Sequence, residues 1–423
     1  MNRIAVIGAS YVGLTTAACF AKLGHRVVCA DIQSERIERL QEGEIPIVEP
    51  GLAELVREGL ATGGLRFVVG AAAAAGDCEF AYLCVQTPQD PDGAPDLSWL
   101  EAAARQIGAV LASEAIVVNK STVPVGSTTV VERAMGRPDV KVVSNPEFLR
   151  EGSAVHDFLH PERVVIGCED RAAAVRVASL FAGISAPLIV TDPASAETIK
   201  YVANAFLATK VSFVNAVAAV CEAVGADIGD VVLGIGCDTR IGAGYLRPGP
   251  GWGGSCLPKD TQALVHIAEQ AGYDFGLLRG VIQVNEDQKR RVVDKVRRAA
   301  GGDLAGQTVG VWGLTFKAGT DDLRASPALD IVRALVAQGA RVRAYDPAVG
   351  RSLDGIEVVT TAYAACSGAG VVVVLTEWDE FRWLDWQKVA DEMSVPAVVD
   401  ARNLLDRHVL GRHGFSYEGI GRR

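Results

Sequence analysis

The chain has 423 residues, 49% of them hydrophobic and 22% charged, and 41 Lys+Arg against 51 Asp+Glu give it a net charge of -10. Such a length exceeds what one hydrophobic core usually serves, so two or three domains are expected, and the acidic balance argues against a nonspecific nucleic-acid or anionic-membrane surface. The opening MNRIAVIGAS holds only a short apolar run, so neither a signal peptide nor a membrane span is read there and a cytoplasmic protein is expected; nine cysteines without a CxxC pair fit neither a disulfide framework nor a metal site.

Residues 3–8, RIAVIG, read as an apolar strand ending in glycine, residues 11–23 as a helix, and RVVCADI after Gly24 as a second strand. This is a βαβ unit with buried parallel strands. Its turn, Gly8-Ala9-Ser10-Tyr11-Val12-Gly13, bares backbone where a pyrophosphate can approach the positive end of a helix. Ser10 stands where the GxGxxG pattern has its second glycine, the one that permits closest approach of the phosphate. Asp31 ends the second strand, where a carboxylate accepts from a ribose 2′-OH and repels a 2′-phosphate, so NAD is expected rather than NADP. Arg36 is expected to cover the adenine, with rescue of a 2′-phosphate as the alternative.

Further strand-like runs follow at 79–85, 115–121, 140–146, 163–167 and 187–192, with helical stretches between most of them. The alternation predicts a doubly wound α/β domain ending near residue 190. The AAAAAG run at 71–76 reads as loop or short helix, and in NPEFLREG, Glu147 and Glu151 lie four apart and share a face if the segment is helical.

From Ser195 to Val224 there is neither Gly nor Pro, with Asp192 and Pro193 as entry signals and Gly225 as the stop. About thirty residues at roughly 1.5 Å each predict a helix of roughly 45 Å, longer than one domain. It reads as a connector, with the helical region to about residue 300 packing against a second subunit. KYVAN puts Lys200 and Asn204, a cation and an amide, on one face of that helix.

GWGGSCLPKD, residues 251–260, exposes Cys256 behind glycines, with Lys259 to favour the thiolate and Asp260 as base or orienter. Beside a nicotinamide site such a thiol can trap an aldehyde as a thiohemiacetal, give up a second hydride and leave a thioester for water. The constellation therefore points to oxidation of an alcohol to an acid. The opening pattern then recurs: TVGVWG, a helix near residues 326–339, and RVRAYDP, with Gly339 and Asp346 spaced as Gly24 and Asp31 are. VVVVLTEW and AVVDAR complete the second sheet.

Together GASYVGL, VQTPQDPDGAPDL, KSTVPVGS, SNPEFLREGSAVHDFLHPERVVIG, KYVANAFLATKVSFVN, DTRIGAGYLRPGPGWGGSCLPKD, GLTFKAGTDDLRASPALDI, AYDP, DARN and YEGIGR resemble the nucleotide-sugar 6-dehydrogenase family. The resemblance implies an α/β fold of two Rossmann-like doubly wound domains joined by a long central helix and a helical dimerisation region. Residues 1–192 would bind NAD, 193–300 would carry the cysteine loop and the dimer face, and 301–423 would bind the nucleotide sugar.

It also implies roles. Cys256 would be the nucleophile, Lys200 and Asn204 would stabilise the oxyanion, Asp260 with Thr122 would activate water, and Glu151 with Glu147 would assist thioester hydrolysis. The cofactor residues would be Gly8, Tyr11, Val12, Gly13, Asp31, Arg36, Thr87, Thr122 and Arg324. Phe148, Leu149, Lys200, Asn204, Tyr245, Gly253, Lys317 and Arg402 would hold the sugar nucleotide, with Arg240 reaching in from a neighbouring subunit of a homodimer or higher homo-oligomer. Gln86 and Leu257 depart from the pattern common in the family.

The expected reaction is a four-electron, NAD-dependent oxidation of UDP-glucose at C6 to UDP-glucuronate. TDP-glucose or GDP-mannose as substrate, or a two-electron hydroxyacid dehydrogenase, are the alternatives. A nucleotide-sensing module with a redox-active thiol is a third; the grouping of Lys200, Asn204 and Asp260 counts against it.

Overall fold

The computed structural model describes residues 1–88, 95–350 and 352–422, so residues 89–94 of the VQTPQDPDGAPDL motif lie outside the described residues. The chain divides into two compact units, Met1–Ala203 and Asn204–Arg423.

The first unit is built on β1 (Arg3–Ile7), β2 (Arg26–Asp31), β3 (Leu65–Val69), β4 (Phe80–Leu83), β5 (Ile116–Asn119), β6 (Lys141–Ser144), β7 (Val164–Gly167) and β8 (Leu188–Thr191). They lie in the order β3-β2-β1-β4-β5-β6-β7-β8, with helices on both faces. Because both faces are covered, β4, β5 and β7 are buried at every residue. Strand order reverses between β1 and β4, the crevice where doubly wound sheets bind ligands.

One pairing departs from the expected parallel sheet. β6 meets β7 antiparallel through Ser144 and Gly167. The Asn145 side-chain amide donates to the Val165 carbonyl at 2.8 Å and ties the two strands where they meet. The alanine run is a short helix, Ala71–Ala75.

The second unit holds β9 (Thr308–Trp312), β10 (Arg341–Tyr345), β11 (Ile356–Val358), β12 (Val371–Val374), β13 (Ala397–Asp400) and β14 (Ser416–Gly419), all parallel, in the order β11-β10-β9-β12-β13-β14. This is the same winding as the first six strands of the other sheet. The repeat extends to atoms. Gly8 N–H donates to the Ala30 carbonyl at 2.7 Å and Gly313 N–H to the Tyr345 carbonyl at 2.8 Å, with φ of +103° and +94°.

The long helix is Pro193–Val224, of 32 residues, and begins two residues before the expected start. It carries residues on both sides of the division between the units. By length and composition it is apolar enough to cross a membrane, yet it buries Glu197 and Lys200 with partners in the first unit.

Candidate active site

In the first unit the β1-to-helix turn is a cradle. A Cβ on Gly8 would lie 2.5 Å from the Cys84 carbonyl oxygen, and one on Gly13 would lie 1.8 Å from the Gly8 carbonyl oxygen. Only glycine fits at these two places. Ser10 caps the helix Tyr11–Lys22 in ordinary extended backbone, φ -83°, so serine there costs no strain.

A cavity of about 460 Å³ opens beside the turn, lined among others by Gly8, Ser10, Asp31, Arg36, Gln86 and Trp99. Glycine cradle, helix N-terminus and terminal aspartate fit the pyrophosphate and adenosine of NAD. Asp31 also holds groups of the protein itself. Its carboxylate accepts from Ala9 N–H at 2.9 Å and Gln33 N–H at 3.0 Å and pairs with Arg36 at 3.1 Å. Asp346, its counterpart in the second unit, accepts from Leu314 and Thr315 N–H and from the Trp378 indole. Thr87 donates to the Thr122 carbonyl at 2.7 Å, tying two expected cofactor residues together.

The expectation that Glu147 and Glu151 share a helical face is corrected. Residues 145–150 form no helix, and 151–153 are a turn. Pro146 disfavours helical backbone at Asn145, and the Glu147 carboxylate folds back to accept Leu149 N–H at 2.6 Å. Glu147 instead lies buried against Lys200, Nζ to Oε1 2.7 Å, each side chain 5% exposed. Burial pushes the Glu147 carboxyl up, but the Lys200 ammonium, its hydrogen bond, Leu149 N–H and the Lys120 charge more than reverse this and hold it below the usual carboxylate range. The Phe148 ring has the Arg163 guanidinium over it at 3.8 Å.

Asn204, one turn beyond Lys200, takes a different partner: its amide donates to Asp260 Oδ2 at 2.5 Å. Asp260 is 1% exposed and its other oxygen pairs with Lys259 at 3.0 Å. The ammonium expected to favour the thiolate is thus engaged with the carboxylate.

Cys256 is the half-buried N-cap of the helix Leu257–Gln270, where the helix dipole favours a thiolate. Ser255 Oγ lies 3.6 Å from its sulfur. The approach is bare because it must be: a Cβ on Gly253 would lie 2.0 Å from the Ala325 carbonyl oxygen.

Arg402 donates to the Leu375 and Phe316 carbonyls and pairs with Glu377. Arg324 pairs with Asp322, and Arg240, 87% exposed, with Asp238. Tyr245, Ala325 and Asn403 are non-glycine residues at positive φ, and each is, or adjoins, an expected site residue. Strained backbone concentrates at such sites.

Several residues were missed in the sequence reading. In the first unit Glu197, 2% exposed, accepts from Gly126 N–H and from Thr128 N–H and Oγ, holding the loop that follows Thr122. Lys120 is buried beside Asn145, and burial pushes its ammonium down, with the Cys84 and Glu147 charges acting the other way. In the second unit Asn285 clamps both N–H and carbonyl of Trp252, Ser212 accepts from its indole, and Asn215 and Gln288 hold Gly249. The available signal was a polar residue inside an apolar helix, as in SFVN and QVNED.

Residues 2–185, 194–287 and 310–407 match the UDP-glucose/GDP-mannose dehydrogenase family's NAD binding, central and UDP binding domains, respectively. UDP-glucose 6-dehydrogenase TuaD of Bacillus subtilis (strain 168) is 45% identical, covering 100% of this chain and 94% of that protein. UDP-glucose 6-dehydrogenase of Rhizobium meliloti (strain 1021) is 44% identical, covering 99% of each. A structure of a UDP-glucose dehydrogenase from the archaeon Pyrobaculum islandicum superposes with a TM-score of 0.92 at 38% identity, covering 100% of this chain and 98% of that one.

Proposed function

The chain belongs to the UDP-glucose/GDP-mannose dehydrogenase family, and from that premise we propose that it oxidises UDP-glucose at C6 to UDP-glucuronate in two NAD-dependent steps. The observation that carries the reading is Cys256, a half-buried thiol at a helix N-terminus approached over glycines. NAD, held by the glycine turn and Asp31, would supply the hydride acceptor for both oxidations.

The protein's side chains do the rest. Lys200 and Asn204 offer N–H donors to the C6 oxygen, whose hydroxyl proton passes to solvent through Asp260 as the first hydride leaves and the aldehyde forms. Cys256 bonds through sulfur to the aldehyde carbon while its proton passes to the carbonyl oxygen, giving a thiohemiacetal. Loss of hydride from that carbon and of the hydroxyl proton to Asp260 leaves a thioester. Thr122 and Asp260 orient water, Glu151 with Glu147 draws its proton, and the acid departs as Cys256 regains its thiol. Gly8, Tyr11, Val12, Gly13, Asp31, Arg36, Thr87, Thr122 and Arg324 serve the cofactor. Phe148, Leu149, Tyr245, Gly253, Lys317 and Arg402 serve the sugar nucleotide.

In this reading residues 1–192 hold NAD, 193–300 the cysteine loop and subunit contact, and 301–423 the UDP moiety, in a cytoplasmic enzyme. Counting NADH against sugar consumed tests it: two per UDP-glucose are expected, with TDP-glucose and GDP-mannose poorer substrates. One NADH per sugar would leave a two-electron dehydrogenase, and faster turnover of GDP-mannose would reassign the base.

We infer a homodimer through the long helix, whose Val202, Phe206, Phe213, Val220 and Val224 are exposed, the two phenylalanines at 62% and 55%. These positions repeat at four and seven, one stripe of a helix. Arg240 is then supplied by the second subunit. Phe213→Glu is expected to convert dimer to monomer in sedimentation; a monomeric parent chain, or a variant that still dimerises, refutes the assignment.

A further inference from the structure

Glu49 lies in the loop before the helix Leu52–Thr62, outside every motif read for the site, yet it is 7% exposed and fully engaged. Its Oε2 accepts the Tyr11 hydroxyl and Gly152 N–H, the latter at 2.7 Å, while Oε1 faces Val155 N–H at 3.4 Å. Gly152 N–H also reaches the Tyr11 oxygen at 2.8 Å. A carboxylate, a phenol and a peptide N–H thus close a triangle.

Two sides of that triangle lead to different steps of the reaction. Tyr11 is the first residue of the helix that leaves the glycine turn, where the cofactor docks. Gly152 directly follows Glu151. The peptide before Glu151 is pinned as well, since its Arg150 carbonyl accepts Ser153 N–H at 3.0 Å, while Arg150 N–H donates to Asp157 Oδ2 at 2.9 Å and the Arg150 guanidinium pairs with the same carboxylate. Glu151 therefore sits on a backbone held at both ends, by Asp157 before it and by Glu49 with Tyr11 after it. A surface carboxylate needs no such support; one that must meet a water at a set distance does.

We propose that Glu49 is a positioning residue for thioester hydrolysis, fixing Glu151 through Gly152 and linking its placement to the cofactor turn through Tyr11. The proposal rests on the thioester reading above. Burial, and then the facing Glu49 carboxylate, push the Tyr11 phenol far above its ordinary value. It therefore stays a donor at every pH where the enzyme works, and the triangle persists.

Full-length Glu49→Gln and Tyr11→Phe are mixed with NAD and UDP-glucose, quenched at intervals, and examined by intact-protein mass spectrometry alongside NADH absorbance. In Glu49→Gln a burst of two NADH per subunit at close to the parent rate is expected, then steady turnover slowed about 10- to 100-fold, with acylated Cys256 as the main protein species; in Tyr11→Phe, whose helix docks the cofactor, the burst slows as well, but acylated Cys256 still accumulates. Tyr11→Phe deletes one oxygen, so the proposal stays testable if Glu49→Gln folds poorly. Unchanged steady turnover in Tyr11→Phe overturns it, and so does equal slowing of burst and steady state without acyl-enzyme, the mark of a merely structural contact. Failure of the underlying reading looks different: no acyl-enzyme would form even in Glu151→Gln, and the parent would release one NADH per sugar.

Discussion

Cys256→Ser is expected to lose acid formation by about 10³-fold or more while keeping its fold and its affinity for NAD and UDP-glucose. The side chain is half-buried and belongs to none of the apolar clusters, so exchanging sulfur for oxygen removes little packing. In the proposed reaction it removes the sulfur nucleophile; a serine hydroxyl at the same cap is a far weaker one, and Asp260 is already bonded to Asn204 and Lys259. Calorimetry of both ligands together with a product assay separates binding from chemistry. Retention of full turnover would eliminate the covalent step.

Lys200→Met is expected to damage both stability and rate. Removing one partner of a buried pair leaves Glu147 uncompensated, at a cost of about 3–5 kcal/mol, and deletes an oxyanion donor, which lowers turnover by about 10²- to 10³-fold. The two effects part company with pH. In the parent chain the folded Glu147 carboxyl is held below its ordinary value, so its contribution to stability is present above the ordinary carboxylate range and is lost as pH falls through the folded value. In the variant burial remains while its main offset is gone, and the carboxyl moves up. The deficit against the parent is thus largest near neutrality and narrows as acid protonates Glu147 in both chains. Urea titrations at neutral and acid pH measure it, and an equal deficit at both refutes the pairing. Adding Glu147→Gln is expected to restore much of the stability at neutral pH without restoring turnover.

Both results turn on contacts that no local pattern announces. NPEFLREG has helical spacing between its carboxylates, and that spacing misleads, because Pro146 and the hydrogen bond from Leu149 N–H to the Glu147 carboxylate keep the segment out of a helix. Lys200 and Asn204 were expected to aim at one place because they lie one helical turn apart. Each is taken by its own carboxylate, Glu147 or Asp260. The ribose role read for Asp31 omitted its bond to Ala9, which shapes the turn itself.

What the sequence determined by itself is what short-range physics can write: two βαβ units marked by Gly24 and Asp31 and again by Gly339 and Asp346, a helix uninterrupted by Gly or Pro, and a cysteine at a glycine-flanked helix start. These follow from side-chain periodicity, backbone freedom and capping, which act over a few residues. The tertiary structure alone decided that Glu147 meets Lys200 across 53 positions, that Asp260 meets Asn204 across 56, and that Glu49 meets Gly152 across 103. The reason is physical: desolvation demands that a buried charge be paired but is indifferent to which partner does it, so the choice falls to where the folded chain brings a donor within reach.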